Sequence, residues 1–319
     1  MTKYLITGGA GFIGSTLVNR VAKENEVVIV DDLSMGDKKN ISGLGEKDNI
    51  RFIEGSVTDQ SLMTGLLQEE QFDYIYHLAA IASVADSVAR PVETHVVNFE
   101  SVLSLLELCR KHQKSLKRLI FASSAAVYGD EPTLPKQEES VIRPLTPYAV
   151  DKFAAERYVL NHCHLYGVPT SAVRFFNVYG PNQNPKSPYS GVLSILTDRY
   201  ETLLNGKESS FTVFGDGQQT RDFVFVEDVV DALLLISDSQ AALGNVYNVG
   251  TGEATSLNQV LNIYRDFLDT EISVEYAAGR EGDIPRSYAD IDRLKGLGFE
   301  PKFDVKKGIQ MYLGQTLKK

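Results

Sequence analysis

Short apolar runs alternate with longer amphipathic ones along the first half of the chain. KYLIT (3–7), EVVIVD (26–31), IRFIEG (50–55), FDYIYHLAA (72–80) and LKRLIFASS (116–124) are β-rich, and the stretches 12–24, 59–70 and 92–113 carry helical spacing. Strands that are apolar on both sides and separated by helices belong in a parallel sheet covered on both faces. The fold class this predicts is α/β, a Rossmann-like doubly wound sheet.

Beyond residue 176 the alternation gives way to NVYGPNQNPKSPYSG (177–191), a Pro-, Asn- and Gly-rich loop that leads into a different unit. The expected division is a nucleotide-binding domain over 1–176 and a smaller, interleaved C-terminal substrate domain over 177–319. FVFVEDVVDALLLI (223–236) and VYNVG (246–250) again look like helix and sheet, so segments within about 215–250 are expected to return to the first domain.

Composition narrows the class of partner. The chain has 319 residues, 43% hydrophobic and 23% charged, as soluble globular proteins do. A formal net charge of −10 without a basic run argues against nucleic acid and anionic membranes as partners. MTKYLITGG runs straight into a strand and a glycine turn, and no apolar run is long enough to span a bilayer, so the cytoplasm is the expected location. Cys109 and Cys163 lack ligand spacing and are expected as buried free thiols; His162, Cys163 and His164 crowd one helix too closely to converge on a metal. No metal is expected.

Candidate chemistry appears first in ITGGAGFIGSTL, where Gly8, Gly11 and Gly14 follow a strand and open a helix. Such a turn brings backbone N–H groups and a helix N-terminus to a pyrophosphate. Asp31 closes the second strand about 20 residues on, where a carboxylate meets the adenosine ribose hydroxyls and repels a 2′-phosphate, which favours NAD over NADP. In TPYAVDKF (146–153), Tyr148 stands one helical turn before Lys152. A phenol titrates at about 10, and a nearby cation is what makes it a usable base. FASSAAVYG (121–129) places Ser123 and Ser124 where a parallel strand ends, the edge at which such sheets bind ligands.

With these motifs in this order, together with HLAA (77–80), RFFNVYGP (174–181), GDGQQTRDFVFVEDV (215–229) and REGDIPRSYAD (280–290), the chain resembles the extended short-chain dehydrogenase/reductase family over essentially its full length. The resemblance implies that Tyr148 is the acid/base, that Lys152 holds the nicotinamide ribose and lowers the tyrosine pKa, and that Ser124 bonds the reacting oxygen. For the cofactor NAD it implies Gly8, Gly11, Phe12, Ile13, Gly14, Asp31, Asp32, Ser34, Leu78, Ala79, Ala80, Asn98, Tyr148, Lys152 and Phe175. Ser56 and Val57 are expected at the adenine, although Ser56 stands where relatives usually carry Asp.

Relatives that eliminate or decarboxylate carry a carboxylate just after the catalytic Ser/Thr; Ala125 and Ala126 stand here, so a 4-keto sugar has only reduction open to it. The resemblance is thus to UDP-hexose 4-epimerases, isomerases in which Tyr148 removes the 4-hydroxyl proton as hydride passes to NAD, the ketopyranose rotates, and both steps reverse. Arg221 and Arg280 match pyrophosphate-binding arginines, Asp283 the carboxylate at the uridine ribose, and Asn177 the amide near the sugar. Ser83, Ser123, Ser124, Tyr148, Val192, Thr212, Phe214 and Ser287 complete the expected UDP-sugar site. Ser287 occupies a position where a tyrosine restricts epimerases to unacetylated hexoses, and a small residue leaves room for an acetamido group.

Two alternatives stay open: a UDP-uronic acid 4-epimerase, or another sugar-nucleotide-modifying relative, and a non-catalytic NAD-binding sensor. Uronate enzymes often carry an arginine shortly after VYGP, where this chain has Asn182, Gln183, Asn184 and Pro185. Finally, Val96, Val97, Phe99, Val102, Leu103, Leu105, Leu106 and Leu108 spread apolar residues too widely for one sheet-facing stripe, which predicts a homodimer.

Overall fold

The computed structural model describes residues 1–42, 49–185, 191–279 and 284–317. Its centre is a seven-stranded sheet in which every pairing is parallel. The strands are β1 (Lys3–Thr7), β2 (Glu26–Asp31), β3 (Ile50–Glu54), β4 (Tyr74–His77), β5 (Arg118–Ser124) and β6 (Thr170–Phe175), followed by β7 (Asn177–Tyr179), β8 (Ser210–Phe214), β9 (Thr220–Arg221), β10 (Phe223–Phe225) and β11 (Val246–Val249). The large sheet runs β11-β6-β5-β4-β1-β2-β3. Strand order reverses between β1 and β4, and that switch point opens a crevice at the carboxyl ends of the strands.

Successive strand residues divide between two cores. Leu5, Val28 and Leu119 join the helices Gln60–Glu69, Ser101–His112 and Pro147–Tyr166 on one face, while Ile6, Ile29 and Ile120 meet α1 (Phe12–Val21) and the helix Val226–Asp238 on the other. This two-sided burial is why the strands read as continuous apolar runs rather than alternating ones. The helical spacing over 92–113 resolves into a short helix, Pro91–His95, a π-type turn, Val96–Glu100, and the helix Ser101–His112. Val102, Leu105 and Leu106 are buried in the sheet core, and Val96, Val97, Phe99, Leu103 and Leu108 are half-buried. Cys109 is buried as expected, whereas Cys163 is only half-buried; both are free thiols.

The later segments form smaller sheets: β7 with β10, β9 between β12 (Thr255–Ser256) and β14 (Arg286–Ser287), and β8 with β13 (Ser273–Ala277). Tyr179, Leu196, Tyr200, Phe225, Tyr264 and Leu313 build their core. The chain leaves the large sheet after β6 and re-enters it at β11, which pairs with β6 through Val246–Ala172 and Val249–Phe175. Among the described residues no helix is long and apolar enough to cross a membrane.

Candidate active site

At the switch point the glycine turn joins β1 to α1. Gly8 has φ +72°, and a Cβ on it would come within 2.8 Å of the Ala79 nitrogen; one on Gly14 would lie 2.1 Å from the Gly8 carbonyl oxygen. Neither position admits a side chain, so the backbone stays bare where the turn meets the Leu78–Ala80 loop. Gly11 caps α1 without a side-chain bond, and Phe12, Ile13 and Gly14 form its first turn. The uncovered N–H groups of such a helix end suit an anion.

Asp31 is buried at the end of β2. One carboxylate oxygen accepts from the Ala10 N–H and the other from the Leu33 N–H, each at 2.9 Å. Burial pushes its pKa up, against these bonds. Asp31 therefore ties the glycine turn to the loop of exposed Asp32 and Ser34, whose N–H donates to Asp32. Bare glycines, an open helix start and a carboxylate at the end of the second strand fit a dinucleotide with free ribose hydroxyls.

Three residues expected at the cofactor, Asn98, Ser56 and Val57, make contacts within the protein. The Asn98 side chain is buried and closes on the Ile81 backbone with two 2.9 Å bonds, to its N–H and its carbonyl, so it braces the loop after β4. Val57 is buried in the sheet core, and the Ser56 hydroxyl is 2.9 Å from that of Thr58. His77, at the end of β4, pairs through Nδ1 with the Thr7 hydroxyl at 2.9 Å, and burial lowers its pKa to about 3, leaving the ring neutral.

The helix Pro147–Tyr166 starts at the crevice for local reasons. Thr146 caps it by accepting the Ala149 N–H, Pro147 fills the first turn, and Gly167 ends it in the left-handed conformation. Tyr148, Lys152 and Glu156 follow at four-residue intervals on its inward face, all buried. The Tyr148 phenol lies next to the Ser124 hydroxyl, whose oxygen accepts the Ala126 N–H at 3.2 Å. Burial raises the Tyr148 pKa and the neighbouring Ser124 hydroxyl opposes that rise. Lys152 donates to the Ala122 carbonyl at 2.9 Å, with Nζ 6.0 Å from the Tyr148 ring centre, and burial pulls its pKa down to about 7. Of the expectation that Lys152 lowers the tyrosine pKa, the structure has the proximity; the ammonium is directed at the Ala122 carbonyl.

Ser123 and Ser124 diverge, as consecutive strand residues do. Ser123, expected at the substrate, is buried and donates instead to Glu156 at 2.7 Å. Ser124 faces a cleft of about 430 Å³ that is also lined by Phe175, Asn177, Arg221 and Ser287. Thr146, Leu145, Phe176 and Ile284 share the wall and were not singled out in the sequence, although Thr-Pro before Tyr148 is a helix-start signal that places Thr146 at this edge.

Backbone bonds gather the far wall. The Asn177 N–H donates to the Asp222 carbonyl and the Asp222 N–H to the Ser287 carbonyl, both at 3.0 Å, with Ser287 opposite Arg221 in register. Buried Asp222 accepts from the N–H groups of Thr251, Gly252 and Ala289 and locks this corner. Ser83, also buried, caps the helix Val84–Ala89 by accepting the Asp86 N–H. Val192, Thr212 and Phe214 lie on the helix Val192–Leu204 and on β8, outside the described lining of the cleft. Arg280 and Asp283 lie outside the described residues.

The model of the NAD dependent epimerase/dehydratase family matches residues 4–250. A UDP-glucose 4-epimerase of Mycolicibacterium smegmatis is 37% identical over 308 residues, covering 96% of this chain and 95% of that one. Among solved structures, UDP-N-acetylglucosamine 4-epimerase from Methanobrevibacter ruminantium in complex with UDP-N-acetylmuramic acid superposes with a TM-score of 0.91 at 34% identity, covering 99% of this chain and 98% of that one. UDP-glucose 4-epimerase from Thermotoga maritima with UDP-glucose gives 0.90 at 34% identity, covering 99% of both chains.

Proposed function

The chain belongs to the NAD dependent epimerase/dehydratase family, and on that premise we propose that it is a UDP-sugar 4-epimerase, an isomerase that inverts carbon 4 of a UDP-hexose through a transient 4-keto sugar. The observation that carries this is the cleft that Ser124, next to Tyr148, lines together with Asn177, Arg221 and Ser287, and whose described lining contains no carboxylate. The glycine turn and Asp31 would hold NAD, which when bound would supply the acceptor and donor of hydride and a cationic nicotinamide ring.

Tyr148 takes the proton of the sugar 4-hydroxyl and later returns it, while Ser124 donates to the same oxygen. Lys152 supplies positive charge beneath the phenol, which favours the phenolate. Ala125 and Ala126 offer neither acid nor base for elimination, so the keto sugar turns over and is reduced again. Arg221 is assigned to the diphosphate and Asn177 to the sugar end; Arg280 and Asp283 are assigned to the diphosphate and the uridine ribose by their motif positions. Ser287 leaves space for an N-acetyl group, so UDP-GlcNAc and UDP-GalNAc are substrates alongside UDP-glucose and UDP-galactose.

We assign the active form as a homodimer. Val84, Val88, Val92, Val150, Tyr158, Leu165 and Tyr166 are exposed on the segment 84–92 and the outer side of the helix Pro147–Tyr166, which is apolar on both sides. Two free thiols suit a reducing cytoplasm.

Purified protein incubated without added NAD, separately with UDP-glucose, UDP-GlcNAc and UDP-glucuronate, is expected to invert carbon 4 of the first two, followed by proton NMR. No inversion of either, even with NAD supplied, refutes the assignment. Sedimentation as a monomer at micromolar concentration refutes the dimer.

A further inference from the structure

The helix that carries Tyr148 and Lys152 carries a third inward residue, Glu156, that is fully buried and takes no part in the chemistry above. Its carboxylate receives the Arg174 guanidinium in a two-pronged contact, Nε to Oε2 at 2.9 Å and Nη2 to Oε1 at 2.6 Å, and Oε2 also accepts the Ser123 hydroxyl at 2.7 Å. Arg174 continues the chain through Nη1, which donates to the Tyr128 hydroxyl at 2.8 Å and the Glu138 carbonyl at 2.9 Å. Tyr128 donates to Asn248 at 2.6 Å, and Asn248 donates to the carbonyls of Lys136 and Asp290 at 2.8 and 3.1 Å. The Lys136 N–H donates to the Tyr288 carbonyl at 2.9 Å, one residue beyond Ser287.

A continuous buried polar bridge thus runs beneath the cleft from the residue beside Ser124 to the residue beside Ser287. Stability alone is a poor reason for it: withdrawing a carboxylate and a guanidinium from water costs several kcal/mol per ion, and apolar residues of similar volume often serve the fold as well. Bidentate charged pairs do fix geometry closely.

We propose that Glu156 and Arg174 form a positioning pair for the 4-epimerase reaction, holding Ser124 against Tyr148 through Ser123 and fixing the serine edge relative to the Ser287 strand. This rests on the proposed 4-epimerase activity. Displacing a reacting group by about 1 Å costs on the order of 100-fold in rate. The pair therefore acts on turnover rather than on substrate affinity, since neither residue reaches the cleft.

The test compares NAD-loaded wild type with Glu156→Gln, Ser123→Ala and the double variant on UDP-glucose and UDP-GlcNAc. Glu156→Gln keeps the shape of the side chain, and Ser123→Ala leaves the ion pair whole, so the second variant covers a folding defect in the first. The expected result is a kcat reduced roughly 10- to 100-fold in Glu156→Gln and less in Ser123→Ala, with KM and bound NAD near wild type. The double variant should be no slower than Glu156→Gln, because both changes cut one linkage.

Hydrogen exchange over residues 122–129 in the same proteins reads the position of Ser124 without turnover, through the Ala126 N–H it accepts. Exchange there is expected to quicken in both variants. Unchanged kcat and exchange, losses that multiply in the double variant, or losses that track NAD content overturn the positioning role. If wild type inverts neither sugar, the 4-epimerase assignment fails, and the exchange result alone decides whether the pair holds Ser124.

Discussion

Arg221 and Ser287 lie opposite each other in register across β9 and β14, and both line the same cleft as Ser124. Under the proposed assignments, the cation for the diphosphate and the small residue at the sugar stand directly beside each other. Substituting Ser287→Tyr is expected to lower kcat/KM for UDP-GlcNAc at least tenfold and leave UDP-glucose within about threefold, since a pocket discriminates by the volume it denies. Equal losses on both sugars, measured side by side by NMR, contradict a steric gate.

Arg221→Gln should raise KM for both sugars by roughly 10- to 100-fold, the size expected when a hydrogen bond to a charged group is lost. Its kcat should stay near wild type, because a diphosphate contact is equal in ground and transition states. A loss confined to kcat places Arg221 elsewhere in the reaction.

Tyr148→Phe removes the phenolic proton carrier and leaves the ring in place. Turnover is expected to fall by at least about 100-fold, the lower range for a general acid–base group, with bound NAD unchanged by absorbance of the denatured supernatant. Full activity excludes Tyr148 as the proton carrier.

Lys152 gives a pH signature in stability. Its folded pKa of about 7 lies below the ordinary value of 10.5, so across that interval the unfolded chain binds more protons than the native one. Stability therefore rises with pH through the window, and below about 7 the buried ammonium carries its full penalty. Without cofactor, Lys152→Met should melt higher than wild type at pH 6, and the difference should shrink as the pH approaches 10. A difference independent of pH contradicts the depressed lysine.

Gly14→Ala is expected to abolish bound NAD, because the new methyl would meet the Gly8 carbonyl oxygen at 2.1 Å and force the turn open. Purification with NAD at the wild-type level shows that the turn tolerates the shift.

The sheet and its glycine turn were legible because their signals are local: apolar runs buried on both faces, a bare turn and an acid at the end of the second strand. The Tyr148–Lys152 spacing was legible for the same reason, since one helical turn sets it. Glu156 stood in the same frame, one turn further on, yet its significance depends on Arg174, Tyr128 and Asn248, which reach it only when β5, β6 and β11 lie side by side. Ser123 and Ser124 look equivalent in a string of letters, while a pleated strand sends one to Glu156 and the other to the cleft. Asn98 braces the Ile81 backbone through its amide, a contact that depends on how the loop after β4 folds back and that no local spacing announces.

The return of the chain to the large sheet at β11 limits how such an enzyme can diversify. β11 and the helix Val226–Asp238 come from beyond residue 176, yet they complete one edge and cover one face of the sheet that holds the glycine turn. A fragment cut at 176 would bare the β6 edge and leave Ile120 and Val173 without the helix that shields them, an invitation to aggregation. The sheet that holds the glycine turn is thus closed only by residues from both parts of the chain.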